Sequence, residues 1–236
     1  MVGPVQIDVR FPCADGHAMG GVLTMPDAAD GRRPALLLIY ELLGMNEPIR
    51  EVARDLAREG WVVLVPDLFD RELRAVCIAK ALRAIATGRG APLDDLEAAR
   101  AWLAARPEVD GERIGVIGFC MGGGFALLLA TNPRYRAAAP FYGQVPAEMP
   151  RSCPVVASYG GKDRRFAAQV PRLEESLATL GVPHDVKIYP DAGHSFFTRT
   201  PGGLLGRVML GTGAGHHGPS AKDARARVVA FFREHL

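Results

Sequence analysis

Residues 113–130 read RIGVIGFCMGGGFALLLA, and this stretch decides the fold. An apolar run typical of a strand (Ile114, Val116, Ile117) leads into the glycines, and a helix-forming apolar run follows them. Between the two runs, residues 118–122 match G-x-S-x-G with cysteine in place of serine. This pattern predicts a nucleophile elbow, a sharp turn that presents its middle residue at the edge of a sheet. The same residues also fit a plain glycine-rich turn with a small buried cysteine.

The segments on either side of this stretch alternate between strand and helix patterns. A turn signal at Asp15-Gly16 separates residues 5–11 from residues 21–24 and predicts an antiparallel hairpin at a sheet edge. Further strands are predicted at residues 35–40, 61–65, 137–142, 155–159 and 186–189. Helices are predicted from Pro48 to Gly60, over 71–87, from Asp94 or Asp95 to about Arg106, over 166–180 and from Ser220 onward. The alternation predicts one α/β domain over residues 1–236, a doubly wound, mostly parallel sheet with an N-terminal antiparallel hairpin and helices on both faces.

Composition and charge narrow the class of protein. The 236 residues carry a formal net charge of +2 without a basic stripe, so no nucleic-acid partner is expected. No apolar run reaches the length of a membrane span, so no membrane partner is expected either. The four scattered cysteines and a start without signal-peptide character predict reduced thiols and a cytoplasmic location. His216-His217 lacks a carboxylate or cysteine at ligand spacing, so we expect no metal at these histidines. We also expect no cofactor. The expected oligomeric state is a monomer or a small homo-oligomer.

An acid and a histidine follow two later predicted strands. Asp163 ends the loop after residues 155–159, and His194 lies in the loop after residues 186–189. Because function collects at the carboxyl ends of parallel strands, these side chains are expected near Cys120. The chain order of nucleophile, acid and histidine is that of α/β-hydrolases. Cys120 is the predicted nucleophile, His194 the acid–base group and Asp163 the residue that orients the imidazole. Taken alone, Asp163 also fits a helix cap.

Two further parts of the predicted site lie next to the strands. The backbone N–H groups of Leu42 and Met121 are candidates for an oxyanion hole, because one follows a central strand and the other follows the nucleophile. Glu41 has two interpretations: a solvated loop residue, or a neighbour of Cys120 that influences the protonation of the thiol.

The chain resembles the dienelactone hydrolase (carboxymethylenebutenolidase) family of α/β-hydrolases. The resemblance rests on YELLGMN at 40–46, VPDLF at 65–69, GFCMGG at 118–123, FYG at 141–143, GKD at 161–163 and AGHSF at 192–196. It implies a Cys-His-Asp triad, a glutamate at the position of Glu41 that interacts with the thiol, and hydrolysis of lactone or ester bonds.

The resemblance also implies arginines that hold a substrate carboxylate. Arg199 is the nearest match to one of them, one residue later than the usual spacing, and Arg71 or Arg74 corresponds to another. Tyr142 is a candidate pocket residue, although a tyrosine at a strand end is equally often structural.

The sequence therefore predicts a cofactor-free hydrolase that cleaves a small-molecule lactone or activated ester through a thioester acyl-enzyme. Two alternatives remain open. One is a broad carboxylesterase or acyltransferase on the same fold, and the other is a non-catalytic α/β-hydrolase-like protein that binds a ligand. The complete set of three predicted catalytic side chains argues against the second alternative.

Overall fold

The computed structural model describes residues 3–27, 31–199 and 215–236. Within them, eight strands form one sheet in the order β1-β2-β4-β3-β5-β6-β7-β8. They are β1 (Val5–Pro12), β2 (Ala18–Met25), β3 (Arg33–Ile39), β4 (Val62–Pro66), β5 (Val109–Phe119), β6 (Ala137–Phe141), β7 (Val155–Gly160) and β8 (His184–Tyr189). The pairs β1–β2 and β2–β4 are antiparallel, and all other pairs are parallel. The predicted edge hairpin and mostly parallel sheet are confirmed.

Helices connect the parallel strands, as expected because parallel neighbours need a crossover. In the described residues these are α1 (Glu47–Arg58), α2 (Arg74–Thr87), α3 (Ala91–Ala104), α4 (Met121–Ala130), α5 (Arg164–Ala167), α6 (Val170–Thr179) and α7 (Gly218–His235). The ends of α1 follow from its sequence. The Asn46 side chain accepts a hydrogen bond from the Ile49 N–H at 3.1 Å, and Pro48 lies in the first turn. Gly60 takes the positive φ, 107°, that ends this segment.

The helix predicted over residues 166–180 is wrong in detail, because the chain forms two helices there. α5 ends at Ala167, and α6 begins at Val170 with Pro171 in its first turn. Proline disfavours the helical conformation of the residue before it and has no N–H for the helix ladder, so a proline in this position suits a helix start and not a helix interior.

Three other predicted helix starts shift. α3 begins at Ala91 after Gly90, so Asp94 and Asp95 lie inside the helix and do not cap it. α2 begins at Arg74, three residues later than predicted, and α7 begins at Gly218, two residues before Ser220. Most of the glycine-rich segment predicted at 200–219 lies outside the described residues.

The sheet places β5 between β3 and β6, so the strand that leads into Cys120 is central and its last six residues are buried. All four cysteines are free thiols. None of the helices in the described ranges is long and apolar enough to cross a membrane.

Candidate active site

The turn between β5 and α4 has the geometry that its glycines predict. Cys120 has a φ of 54° and a ψ of −111°, a conformation that a non-glycine residue rarely adopts. A Cβ atom added to Gly118 would lie 2.0 Å from the Gly122 carbonyl oxygen, and one added to Gly122 would lie 2.1 Å from the Ile39 carbonyl oxygen. Neither position tolerates a side chain. The strained backbone of Cys120, of the kind that clusters at functional sites, is thus held by close packing of the start of α4 against β5 and β3.

His194 and Asp163 meet at the same edge of the sheet. The Nδ1 atom of His194 lies 2.5 Å from Oδ2 of Asp163, and the two side chains are only 3% and 10% exposed. Asp163 occupies the N-cap position of α5, yet its side chain makes no capping hydrogen bond. The carboxylate therefore contacts the imidazole and does not cap the helix, and its role in the reaction stays a prediction.

Aromatic rings enclose the His194 imidazole. The rings of Tyr142 and Phe166 each lie 5.0 Å from it, centroid to centroid. Its Nε2 atom is buried and makes no hydrogen bond within the described residues. Burial by itself lowers the pKa of His194, but the hydrogen bond to Asp163 and the nearby Cys120 outweigh burial and raise the pKa to about 10. The surroundings thus favour the imidazolium form.

Glu41 is a buried carboxylate at the end of β3. It is 2% exposed, so the interpretation as a solvated loop residue is wrong. The Ser195 hydroxyl donates to Oε2 of Glu41 at 3.0 Å, and the Thr198 hydroxyl donates to Oε1 at 3.1 Å. Sequence reasoning missed both hydroxyl residues. Their positions, one and four residues after His194, were the available signal, because the loop that follows a parallel strand faces the ends of the other strands.

A model of the family described as "Dienelactone hydrolase family" matches residues 19–236. The chain belongs to the dienelactone hydrolase family. The carboxymethylenebutenolidase of Rhodococcus opacus is 30% identical over 222 residues, which cover 87% of this chain and 83% of that protein. The chain is accordingly an ester or lactone hydrolase.

Solved structures share the α/β-hydrolase fold over the whole chain. A dienelactone hydrolase from Anabaena variabilis superposes with a TM-score of 0.72 and 19% identity, covering 100% of both chains. A dienelactone hydrolase-like promiscuous phosphotriesterase from metagenomic libraries superposes with a TM-score of 0.83 and 22% identity, covering 99% of both. At these identities the likeness shows the fold alone.

The arginines predicted to bind substrate in this dienelactone hydrolase family member differ in their surroundings. Arg71 is engaged by two carboxylates, because it donates to Asp15 at 2.7 Å and to Asp95 at 2.8 Å. Arg74 instead donates to the Leu42 carbonyl oxygen at 2.6 Å and lies over the Phe69 ring. Of these two residues, Arg74 is therefore the one beside the predicted oxyanion segment.

Arg199 and Tyr142 differ in their exposure to solvent. Arg199 is exposed and lines a cavity of about 740 Å³ between α1 and α7. Tyr142 is fully buried against His194, with a φ of 39°. Burial and then the Glu41 charge raise the pKa of Tyr142 well above its usual range, so its phenol stays neutral. Their roles in substrate binding stay predictions.

The two backbone N–H groups predicted to form an oxyanion hole belong to Leu42 and Met121. Met121 is the first residue of α4, where backbone N–H groups lack a partner inside the helix. Neither its N–H group nor that of Leu42 donates a hydrogen bond to another described residue. No group of three or more histidine, cysteine or acidic side chains in residues 3–27, 31–199 and 215–236 is arranged to hold a metal ion.

Proposed function

We propose that the protein hydrolyses a small lactone or activated ester with Cys120 as nucleophile, His194 as acid–base group and Asp163 as the residue that orients the imidazole. The observation that carries the proposal is the buried hydrogen bond from His194 to Asp163 at the sheet edge that also bears the strained Cys120 turn. A hydrogen-bonded base beside an elbow nucleophile is the arrangement that activated nucleophiles need.

In the first step, the Cys120 sulfur attacks the carbonyl carbon as thiolate, and the proton of the thiol resides on His194. The tetrahedral oxyanion forms opposite the backbone N–H groups of Leu42 and Met121, which donate to no other residue in the described ranges. The carbon–oxygen bond to the leaving group then breaks, and His194 returns its proton to that oxygen. The product of this step is a thioester on Cys120.

In the second step, water attacks the thioester carbonyl. His194, now neutral, accepts a proton from the water, and the carbon–sulfur bond breaks. The carboxylic acid product leaves, and the thiolate and imidazolium are regenerated. Because a thiolate is a good leaving group, the enzyme is expected to favour reactive esters and lactones over amides.

A lactone that carries a carboxylate is the substrate class that the surroundings favour. The relative from Rhodococcus opacus is named a carboxymethylenebutenolidase, and we extend that substrate class to this chain. Arg74 supports the extension because its guanidinium contacts Leu42, so a carboxylate bound there would lie near the predicted oxyanion segment.

The test is Cys120→Ala, assayed with p-nitrophenyl acetate and a small lactone. Loss of a nucleophile is expected to lower kcat by at least about a thousandfold. Cys153→Ala is the matched control, because this free thiol lies outside the site and its removal should leave turnover within about twofold. Unchanged turnover by Cys120→Ala would remove Cys120 from the mechanism. A panel of lactones, linear esters and thioesters with acceptor alcohols then separates hydrolysis from acyl transfer.

A further inference from the structure

Burial of the Glu41 carboxylate makes its hydrogen-bond donors important. A buried charge is costly unless it is paired or hydrogen-bonded, and removal of one donor leaves the full desolvation cost of the group it served. Ser195 donates to one carboxylate oxygen and Thr198 to the other, at 3.0 and 3.1 Å. With one hydroxyl on each oxygen, the plane of the carboxylate is fixed.

Both donors belong to the loop that carries His194. Ser195, the residue after His194, has a φ of 57°, a conformation that residues other than glycine adopt mainly when their surroundings impose it. Two backbone hydrogen bonds connect this loop to the residues that lead into α7. The Gly215 N–H donates to the His194 carbonyl oxygen, and the His217 N–H donates to the Phe196 carbonyl oxygen, both at 3.0 Å. The loop therefore presents the two hydroxyls and the imidazole as one unit.

The segment that leads into Glu41 packs directly against the turn that carries Cys120. A Cβ atom added to Gly122 would lie 2.1 Å from the Ile39 carbonyl oxygen and 2.9 Å from the Tyr40 carbonyl oxygen. The Tyr142 ring, whose pKa is raised by burial and by the Glu41 charge, lies 5.0 Å from the His194 ring, centroid to centroid. A change in the orientation of the Glu41 carboxylate would thus change the field in which the thiol and the imidazole exchange a proton.

We propose that Ser195 and Thr198 are positioning residues that hold the Glu41 carboxylate in a fixed orientation and thereby set the reactivity of the Cys120 thiol. This inference rests on the proposed function, since it assigns the two hydroxyls to the same site. It goes beyond the Cys-His-Asp set by adding two residues that act through the Glu41 carboxylate.

The first test is Thr198→Val, which keeps the side-chain shape and removes the hydroxyl, with Thr198→Ser as the matched control that keeps it. A lost hydrogen bond to a charged group is expected to lower kcat about tenfold in Thr198→Val. KM should change by less than about twofold, because the inference has the hydroxyl act through the Glu41 carboxylate and not on substrate binding. The alkylation rate of Cys120 by iodoacetamide should change by a similar factor, and Thr198→Ser should restore both rates.

A double-mutant cycle tests whether the hydroxyl acts through Glu41. In a Glu41→Gln background, Thr198→Val is expected to change kcat by less than about twofold, since the charge that the hydroxyl served is gone. The same tenfold loss in that background would show that Thr198 acts independently of Glu41 and would overturn the inference. So would a Thr198→Val protein with a lowered Tm but with unchanged kcat and alkylation rate.

Ser195 is tested by two substitutions that separate its hydroxyl from its backbone. Ser195→Ala removes the hydroxyl and keeps the strained conformation, whereas Ser195→Gly removes the hydroxyl and relieves the strain. The inference expects similar losses of kcat in both, and recovery of full activity in Ser195→Gly would contradict it. Turnover that survives in Cys120→Ala would sink the proposed function instead, so the two failures are distinguishable.

Discussion

Two histidine–aspartate pairs lie within the described part of the chain, and one of them lies in the candidate active site. His194 and Asp163 are 3% and 10% exposed and lie 2.5 Å apart. His17 and Asp70, between the edge hairpin and the end of β4, are 26% and 15% exposed and lie 2.9 Å apart. The second oxygen of Asp70 accepts the Gly20 N–H at 2.6 Å, so this carboxylate ties the hairpin to the loop after β4.

The difference between the pairs shows that an imidazole–carboxylate hydrogen bond is not a catalytic feature by itself. What distinguishes His194 is a thiol nearby and aromatic rings on either side. These surroundings exclude water and strengthen electrostatic interactions, while His17 remains partly in contact with solvent.

The largest contrast between the pairs is expected for matched Asp→Asn substitutions. Asp163→Asn removes the charge that orients and stabilises the His194 imidazolium, so kcat/KM for p-nitrophenyl acetate should fall by about 10³- to 10⁴-fold. Asp70→Asn should leave kcat/KM within about twofold, because this pair ties the edge hairpin to the loop after β4 and lies outside the candidate active site. Equal losses in the two variants would mean that the His194 pair has no special role in the reaction.

The fold and the His194–Asp163 pair could be predicted from the sequence, because both follow from local patterns and from their order along the chain. Only glycine fits at positions 118 and 122, because the neighbouring backbone atoms lie too close for a Cβ atom. The glycines of the elbow pattern therefore predict this turn. Asp163 and His194 each follow a strand, and parallel topology brings the ends of neighbouring strands together.

Other features depend on contacts between distant residues and could not be read from local patterns. The two hydroxyl residues that bind Glu41 lie 154 and 157 residues after it in the sequence, and no periodic pattern connects them to it. The engagement of Arg71 by Asp95 likewise needs the packing of α3 against the edge hairpin, whereas the sequence pattern predicts only that Asp94 or Asp95 begins a helix. Tertiary packing decided both outcomes.

The buried pair should also link stability to pH. The pKa of His194 is raised from 6.5 to about 10 in the folded state, so its contribution to stability is fully present below pH 6.5. That contribution is lost as pH rises through about 10, with a slope of at most about 1.4 kcal/mol per pH unit.

The measurement is the free energy of unfolding by urea at pH 6, 8 and 10 in the wild type and in Asp163→Asn. The stability advantage of the wild type is expected to shrink as pH rises across this window, because the imidazolium that Asp163 stabilises loses its proton. An advantage that grows with pH would have the opposite sign and would refute the raised pKa.

A smaller effect is expected from the aromatic enclosure of His194. Phe166→Leu removes one of the two rings that contact the imidazole, and a ring face stabilises a nearby cation by about 0.5–2 kcal/mol. We expect kcat/KM to fall severalfold and the pH limb governed by His194 to move to lower pH. Phe166→Tyr, which keeps the ring, should behave as the wild type does. An unmoved limb in Phe166→Leu would assign the raised pKa to the Asp163 and Cys120 contacts alone.

The smallest effect is expected at the partly exposed His17–Asp70 pair, where two substitutions separate the side-chain contact from the backbone contact. His17→Gln removes only a partly solvated interaction, so the free energy of unfolding should change by less than about 1 kcal/mol. Asp70→Ala also leaves the Gly20 N–H without its acceptor and should cost about 1–3 kcal/mol. Urea unfolding at pH 7 measures both variants. A larger loss in His17→Gln than in Asp70→Ala would mean that the imidazole, and not the carboxylate, ties the hairpin to the loop after β4.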